Sequence, residues 1–138
     1  MRDAFVSDGE SRRIPCGRRD TGAMGLAMVR EFRFEAAHRL AWHPGKCARV
    51  HGHSYRLEVT VEGQVDDRGV IMDFADVKAA VNEAVMDKVD HRDLNEVIEN
   101  PTAERIVTQI GEWLEEAGLT WSSLRLWETA SCSVQLTR

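Results

Sequence analysis

No apolar run in this 138-residue sequence approaches the ~18 residues that cross a bilayer, so a membrane-spanning protein is not expected. Positive charge is not in excess: 18 Lys and Arg stand against 23 Asp and Glu, a net of −5. A general nucleic-acid or anionic-membrane surface is therefore not expected, and an anionic ligand would need a local basic pocket. Cysteine is scarce. Cys16, Cys47 and Cys132 are odd in number and widely spaced, unlike a secreted disulfide framework. A reducing, cytoplasmic setting suits such thiols. There is no internal repeat. Arg2, Arg12, Arg13, Arg18 and Arg19 are followed by no apolar segment of the kind a secretory signal carries.

What the chain does contain is an ordinary globular composition, 43% hydrophobic and 30% charged, enough for one domain with a real core. Residues 1–27 hold Arg, Ser, Gly and Asp with almost no periodic apolar pattern. They read as a mobile extension, with Met24 or Met28 as alternative starts, ahead of a single domain over 28–138. The other reading of the extension is a targeting or partner-binding arm.

From Met28 onward the periodicity is clear. Phe32, Phe34 and Ala36 alternate with Arg33 and Glu35, the period of a half-buried strand, and His38 continues their parity. Tyr55, Leu57, Val59 and Val61 form the apolar face of a second strand from about Ser54 to Glu62. His51 and His53 share that parity. Residues 65–69 read as a turn. Asp73 is a plausible N-cap for a helix carrying Phe74, Val77, Val81, Ala84, Val85 and Val89. A loop from Asp90 to Asn100 leads to a second helix, opened by Pro101 and Thr102 with Glu104 able to reach back. Its stripe is Ile106, Ile110, Trp113, Leu114 and Ala117, and Gly118 suits its C-cap. Leu124, Leu126 and Glu128 mark a third strand; Cys132, Val134 and Leu136 mark a fourth. The order ββααββ predicts an α+β fold, a four-stranded antiparallel sheet with both helices on one face. Such a sheet has two open edges, which favours closure by neighbouring subunits.

The stretch Cys47-Ala48-Arg49-Val50-His51-Gly52-His53 carries the most chemistry. Antiparallel pairing of the first two strands brings His38 beside His51 and His53, unless a bulge breaks the parity. Three imidazoles with no fourth protein ligand is the arrangement of a catalytic zinc, which keeps one position open. The alternative is three satisfied core or surface histidines. His43, in a Pro/Gly loop, is off the pattern. Cys47 is free to act as base or nucleophile, and Lys46 and Arg49 are cations that favour a thiolate; its other reading is a small buried hydrophobe. Asp90-His91 is either a carboxylate orienting an imidazole for proton transfer or a histidine on a helix dipole. Glu128, on the apolar parity, needs a partner if buried. A ring with two adjacent N–H donors, such as a 2-amino-4-oxo pyrimidine, would match its two oxygens; the alternative is a surface Glu after a register shift.

These residues, in this order, resemble the 6-pyruvoyl-tetrahydropterin synthase family of T-fold enzymes. The resemblance runs from about Phe32 to the C-terminus. It rests on Phe34-Glu35-Ala36-Ala37-His38-Arg39-Leu40, on Cys47 through Tyr55, and on Gly69-Val70-Ile71-Met72-Asp73-Phe74. Asp90-His91-Arg92-Asp93-Leu94-Asn95, Asn100-Pro101-Thr102-Ala103-Glu104 and Glu128-Thr129 complete it. The short spacing from Cys47 to His51-Gly52-His53 is similar to the bacterial 6-carboxy-tetrahydropterin synthase branch, which serves queuosine and other 7-deazapurine pathways. The pyruvoyl-forming branch has a longer insertion there.

The resemblance implies zinc (Zn2+) on His38, His51 and His53, with Cys47 as proton acceptor and Asp90-His91 as proton relay. It implies Glu128 as the pterin anchor, with Thr102 and Glu104 in the substrate pocket; where the family often has Glu-Asn, this chain has Glu104-Arg105. The implied reaction converts 7,8-dihydroneopterin triphosphate to 6-carboxy-5,6,7,8-tetrahydropterin, acetaldehyde and triphosphate. The rival outputs are a pyruvoyl-type product, or pterin binding without turnover. The implied assembly is a homohexamer of two stacked trimers, each closing a barrel, with no nucleic-acid or membrane partner.

Overall fold

The computed structural model describes residues 24–138. The extension expected over 1–27 lies outside the described residues as far as residue 23, and the first strand begins at Ala27.

Strands β1 (Ala27–His38) and β2 (His51–Glu62) pair antiparallel along their full length, from Ala27 opposite Glu62 to His38 opposite His51. The period-2 pattern explains this register. Phe32, Phe34 and Ala36 on one strand and Tyr55, Leu57, Val59 and Val61 on the other are buried on one face. The Phe34 and Tyr55 rings stack at 4.8 Å. β2 begins at His51, earlier than its apolar run suggests, so both histidines of the pair lie within the strand.

A short strand, β3 (Arg92–Asp93), follows in the chain. β4 (Ser123–Trp127) pairs with β2, and β5 (Ser133–Thr137) pairs with β4, both antiparallel. The sheet therefore has five strands in the order β3-β1-β2-β4-β5 rather than four. The additional strand runs parallel to β1, beside Ala36 and Ala37. Two residues carry no readable alternation. The strand exists because the backbone N–H of His91 donates to Glu35 O at 2.6 Å and Glu35 N–H donates to Asp90 Oδ1 at 3.0 Å. The stretch expected to be a loop is thus partly sheet, and it also buries Leu94 and Ile98.

The first helical segment starts at α1 (Phe74–Val81), where the Asp73 carboxylate accepts from Ala75 N–H at 2.7 Å. It continues through a wide π-type turn over Asn82–Met86 into α2 (Asp87–Val89). Val77, Val81, Ala84, Val85 and Val89 all stay buried through that turn. Phe74, expected in the buried stripe, is exposed instead: it sits at the first position, and its carbonyl accepts from Arg30 Nη1.

α3 (Ala103–Glu116) is capped by the Thr102 hydroxyl, which accepts from Arg105 N–H at 3.2 Å. The return bond read for Glu104 is not made, because the Thr102 N–H goes to Asn100 O. Ile106, Val107, Ile110 and Leu114 face the sheet; Ala117 is exposed. Gly118, at φ 84°, ends the helix in the left-handed conformation, with Leu119 N–H donating to Leu114 O.

Gly111 marks the tightest approach of α3 to the core. A Cβ there would lie 2.9 Å from Trp121 Cζ2 and 3.2 Å from Leu136 Cδ2. Gly111→Ala is expected to destabilise the fold by about 1–3 kcal/mol through overpacking, less about 1 kcal/mol of helix propensity regained. Urea denaturation reads this as a lower midpoint. An unchanged midpoint would mean that Trp121 gives way at no cost.

Candidate metal centre and adjoining cleft

The register of β1 and β2 assembles the centre. His38 ends β1 opposite His51, and Ala36 stands opposite His53. The three rings pack edge to face, at interplanar angles of 62° to 86°, with centroids 4.5 Å (His38 to His51), 4.9 Å (His51 to His53) and 5.1 Å (His38 to His53) apart. One nitrogen from each lies within 4.8 Å of the others. Cys47 is not in this group.

Hydrogen bonds on the far side of two rings determine which nitrogen faces the centre. His38 Nδ1 lies 2.8 Å from Pro101 O, and His51 Nδ1 lies 2.7 Å from Arg49 O. A carbonyl only accepts, so both Nδ1 atoms carry the proton and both Nε2 lone pairs are free. His38 Nε2 and His53 Nε2 are buried with no hydrogen-bond partner. Buried polar atoms without partners are rare and call for a ligand. The residues therefore fit a divalent metal held by three neutral imidazoles.

Electrostatics agree. Burial pushes the His53 pKa below 6.5; His38 and His51 push the same way, and only Glu128 opposes them. The Glu128 carboxylate comes within 3.5 Å of His53 Nε2. Burial, with Glu128 adding to it, also raises the Tyr55 hydroxyl well above its ordinary range, so the phenol beneath the rings stays protonated.

Glu128 does not continue the third strand, as its parity suggested. β4 stops at Trp127, and Glu128 N–H donates to Cys132 O at 3.0 Å, closing the β4–β5 turn. That turn brings the carboxylate to the histidines. Glu128 also lines a cleft of about 340 Å³ together with Thr102, Glu104, Trp42 and Cys132. Glu128, Thr102 and Glu104 thus share one concavity, which Cys47, His91 and the three histidines do not line. Cys47 sits in a single 3-10 turn, Lys46–Ala48, partly buried, with its carbonyl accepting from Leu40 N–H at 2.8 Å.

Asp90 and His91 are paired at 2.9 Å. His91 has left the helix: its φ is 59°, and its ring bonds Asp90 rather than helix carbonyls. The Glu35 N–H, followed by His91, holds the Asp90 carboxyl below the usual range. The imidazole is therefore oriented by an ionised carboxylate. His91 borders a second concavity of about 520 Å³ with Glu35, Ser54 and His53. No hydrogen bond or ion pair joins Asp90 or His91 to Cys47 among the described residues. Reading the sequence missed Pro101 O, Arg49 O and the Glu35 backbone, because a carbonyl or amide has no signature of its own. It also passed over Trp42, an aromatic in a Pro/Gly loop.

A family model described as 6-pyruvoyl tetrahydropterin synthase matches residues 27–138. A candidate 6-carboxy-5,6,7,8-tetrahydropterin synthase of Archaeoglobus fulgidus is 46% identical over 95 residues, covering 69% of this chain and 81% of its own. The 6-carboxy-5,6,7,8-tetrahydropterin synthase of Synechocystis is 43% identical over 99 residues, covering 67% and 77%. A dihydroneopterin monophosphate aldolase of Pyrococcus furiosus is 36% identical over 106 residues, covering 75% and 90%. Among solved structures, the 6-pyruvoyl tetrahydropterin synthase of Caenorhabditis elegans superposes with a TM-score of 0.75 at 26% identity, over 83% of this chain and 96% of that one.

The geometry of the histidines sets two expectations. His51→Ala is expected to abolish most bound divalent metal while leaving the fold intact, as read by elemental analysis and circular dichroism; full metal content in this variant would refute the ligand set. For metal-free protein, the His53 pKa is lower folded than unfolded. Its contribution is therefore present above pH ~6.5 and lost as pH falls from there through the folded value. The urea midpoint should drop on acidification, and less steeply in His53→Gln.

Proposed function

The chain belongs to the 6-pyruvoyl tetrahydropterin synthase family, and on that premise we propose that it is a 6-carboxy-5,6,7,8-tetrahydropterin synthase. It is a lyase that takes 7,8-dihydroneopterin triphosphate and water to 6-carboxy-5,6,7,8-tetrahydropterin, acetaldehyde and triphosphate, feeding queuosine or another 7-deazapurine pathway. The observation that carries this reading is the triad of His38, His51 and His53, two of its buried ring nitrogens without a hydrogen-bond partner, with the Glu128 carboxylate 3.5 Å from one of them. Relatives at 43% and 46% identity bearing the carboxy-forming name support the choice of product.

In this reading His38, His51 and His53 hold zinc, which when bound supplies Lewis acidity to the substrate's side-chain oxygens. Glu128 anchors the pterin edge, its two oxygens accepting from adjacent ring N–H donors. Thr102 and Glu104 line the same cleft and contact the bound ring system. Cys47, outside the histidine group, accepts the carbon-bound proton as thiolate. His91 returns a proton from its ring, with Asp90 fixing the ring's orientation through Nδ1. The rearrangement redistributes hydrogens within the substrate, so no external redox cofactor is needed.

Within one chain the Asp90-His91 pair stands at the sheet edge and makes no hydrogen bond or ion pair with Cys47 among the described residues. The proposed assembly, a hexamer of two barrel-closing trimers, supplies the pair and the thiol to a shared site from different subunits. The open edge of β5, and the length of β1 that the two-residue β3 leaves uncovered, favour that closure. The site of action is the cytoplasm, where thiols stay reduced.

A second reading follows from the aldolase relative at 36% identity: carbon–carbon cleavage of a dihydroneopterin monophosphate. Mass spectrometry of the products separates the two. Released triphosphate and acetaldehyde with a carboxylated pterin are expected; a pterin that keeps its three-carbon side chain, or turnover confined to the monophosphate, sinks the proposal. Cys47→Ala should retain zinc and fold and lose about 10²- to 10⁴-fold in turnover.

A further inference from the structure

One large aromatic ring in the cleft has no task in the mechanism above. Trp42 lines the same cleft as Thr102, Glu104 and Glu128, and it is 63% exposed. A single exposed aromatic is common and means little. Trp42 differs in being tethered. Its indole N–H donates to Asn100 Oδ1 at 2.7 Å. Asn100 has φ 49°, a left-handed conformation that asparagine tolerates better than most residues.

The residue after Asn100 reaches the histidine cluster. Pro101 O accepts from His38 Nδ1 at 2.8 Å. The next, Thr102, caps α3 and lines the cleft. Three consecutive residues therefore attach the indole, a histidine of the centre and the cleft wall to one short length of backbone. A tethered indole has already lost much of the freedom that ligand binding would remove, which lowers the cost of using it as a contact.

The chemistry of the cleft needs such a ring. Glu128 reads the edge of a planar heterocycle but offers nothing to its face, and flat bicyclic rings draw much of their binding from face contacts with aromatic side chains. We propose that Trp42 is the stacking platform for the pterin ring, held in register with the histidine centre by Asn100. This inference rests on the pterin reading of the cleft. Asn100 is a positioning residue, acting only through the indole.

The test is equilibrium binding of unsubstituted pterin, which has no side chain to react, to zinc-loaded wild type, Trp42→Phe, Trp42→Ala and Asn100→Gly. Trp42→Ala is expected to bind about tenfold or more weakly, and Trp42→Phe to recover most of the loss. The quenching of tryptophan fluorescence on binding should shrink in Trp42→Phe, although that variant still binds. Asn100→Gly keeps a backbone that favours positive φ but removes the tether; it should bind severalfold more weakly with metal content unchanged. Binding by Trp42→Ala equal to that of wild type would overturn the proposal, as would a wild type that does not bind pterin. If pterin binds as expected while dihydroneopterin triphosphate is never consumed, the platform stands and the lyase reading falls. If turnover proceeds and Trp42→Ala binds normally, the platform falls and the lyase reading stands.

Discussion

The pairing of β1 with β2 is the constraint on which the site depends. Twelve consecutive pairs end with His38 opposite His51. A slip by one residue would turn every side chain of one strand to the other face. It would carry Phe32, Phe34 and Ala36 out of the core together with His38. Each large apolar side chain contributes roughly 1.5–3 kcal/mol on burial, so the phenylalanines, Tyr55, Leu57 and Val59 hold the register far more firmly than the histidines could. The centre is thus a passenger on the core's own alternation, placed at the strand ends where the hydrophobic rows run out.

A second constraint comes from the segment before α3. Asn100, Pro101 and Thr102 bond respectively to Trp42, His38 and the first turn of the helix. A buried imidazole such as His38, 1% exposed, needs one nitrogen satisfied and the other directed. Pro101 O does the first and so accomplishes the second. The same few residues begin the helix, orient the His38 ring and border the cleft, which ties cleft shape to the geometry of the histidine cluster. On the other side of the sheet edge, Asp90 and His91 are held by both backbone polar groups of Glu35. The Asp90-His91 pair is therefore referenced to β1 as well.

Much of this was legible in the residues themselves. Alternation in Phe32 to His38 and in Tyr55 to Val61 is a period-2 signal strong enough to give faces, and faces give histidine clustering. Asp73, Thr102 and Gly118 are capping residues whose side-chain or backbone chemistry marks helix ends without help from tertiary contacts. The parallel strand at Arg92–Asp93 was not legible, because two residues are shorter than any period. Phe74 misled because a helix's first turn can point away from the core even when its spacing fits the stripe. Glu128 was assigned to the correct neighbourhood for an incomplete reason: parity placed it on a strand, whereas a hairpin turn delivers its carboxylate.

The sequence by itself determined which side chains are available to the site, which strand face the histidines occupy and where the helices begin and end, because these follow from local periodicity and from side chains bonding their own backbone. Only the tertiary structure decided which ring nitrogens are free, that Glu128 meets His53, that Trp42 is tethered beside the cleft, and that Asp90-His91 is held by the Glu35 backbone. Those outcomes depend on backbone carbonyls and amides brought together across long separations. Every residue has such groups, so nothing in a residue's identity announces which one will be used.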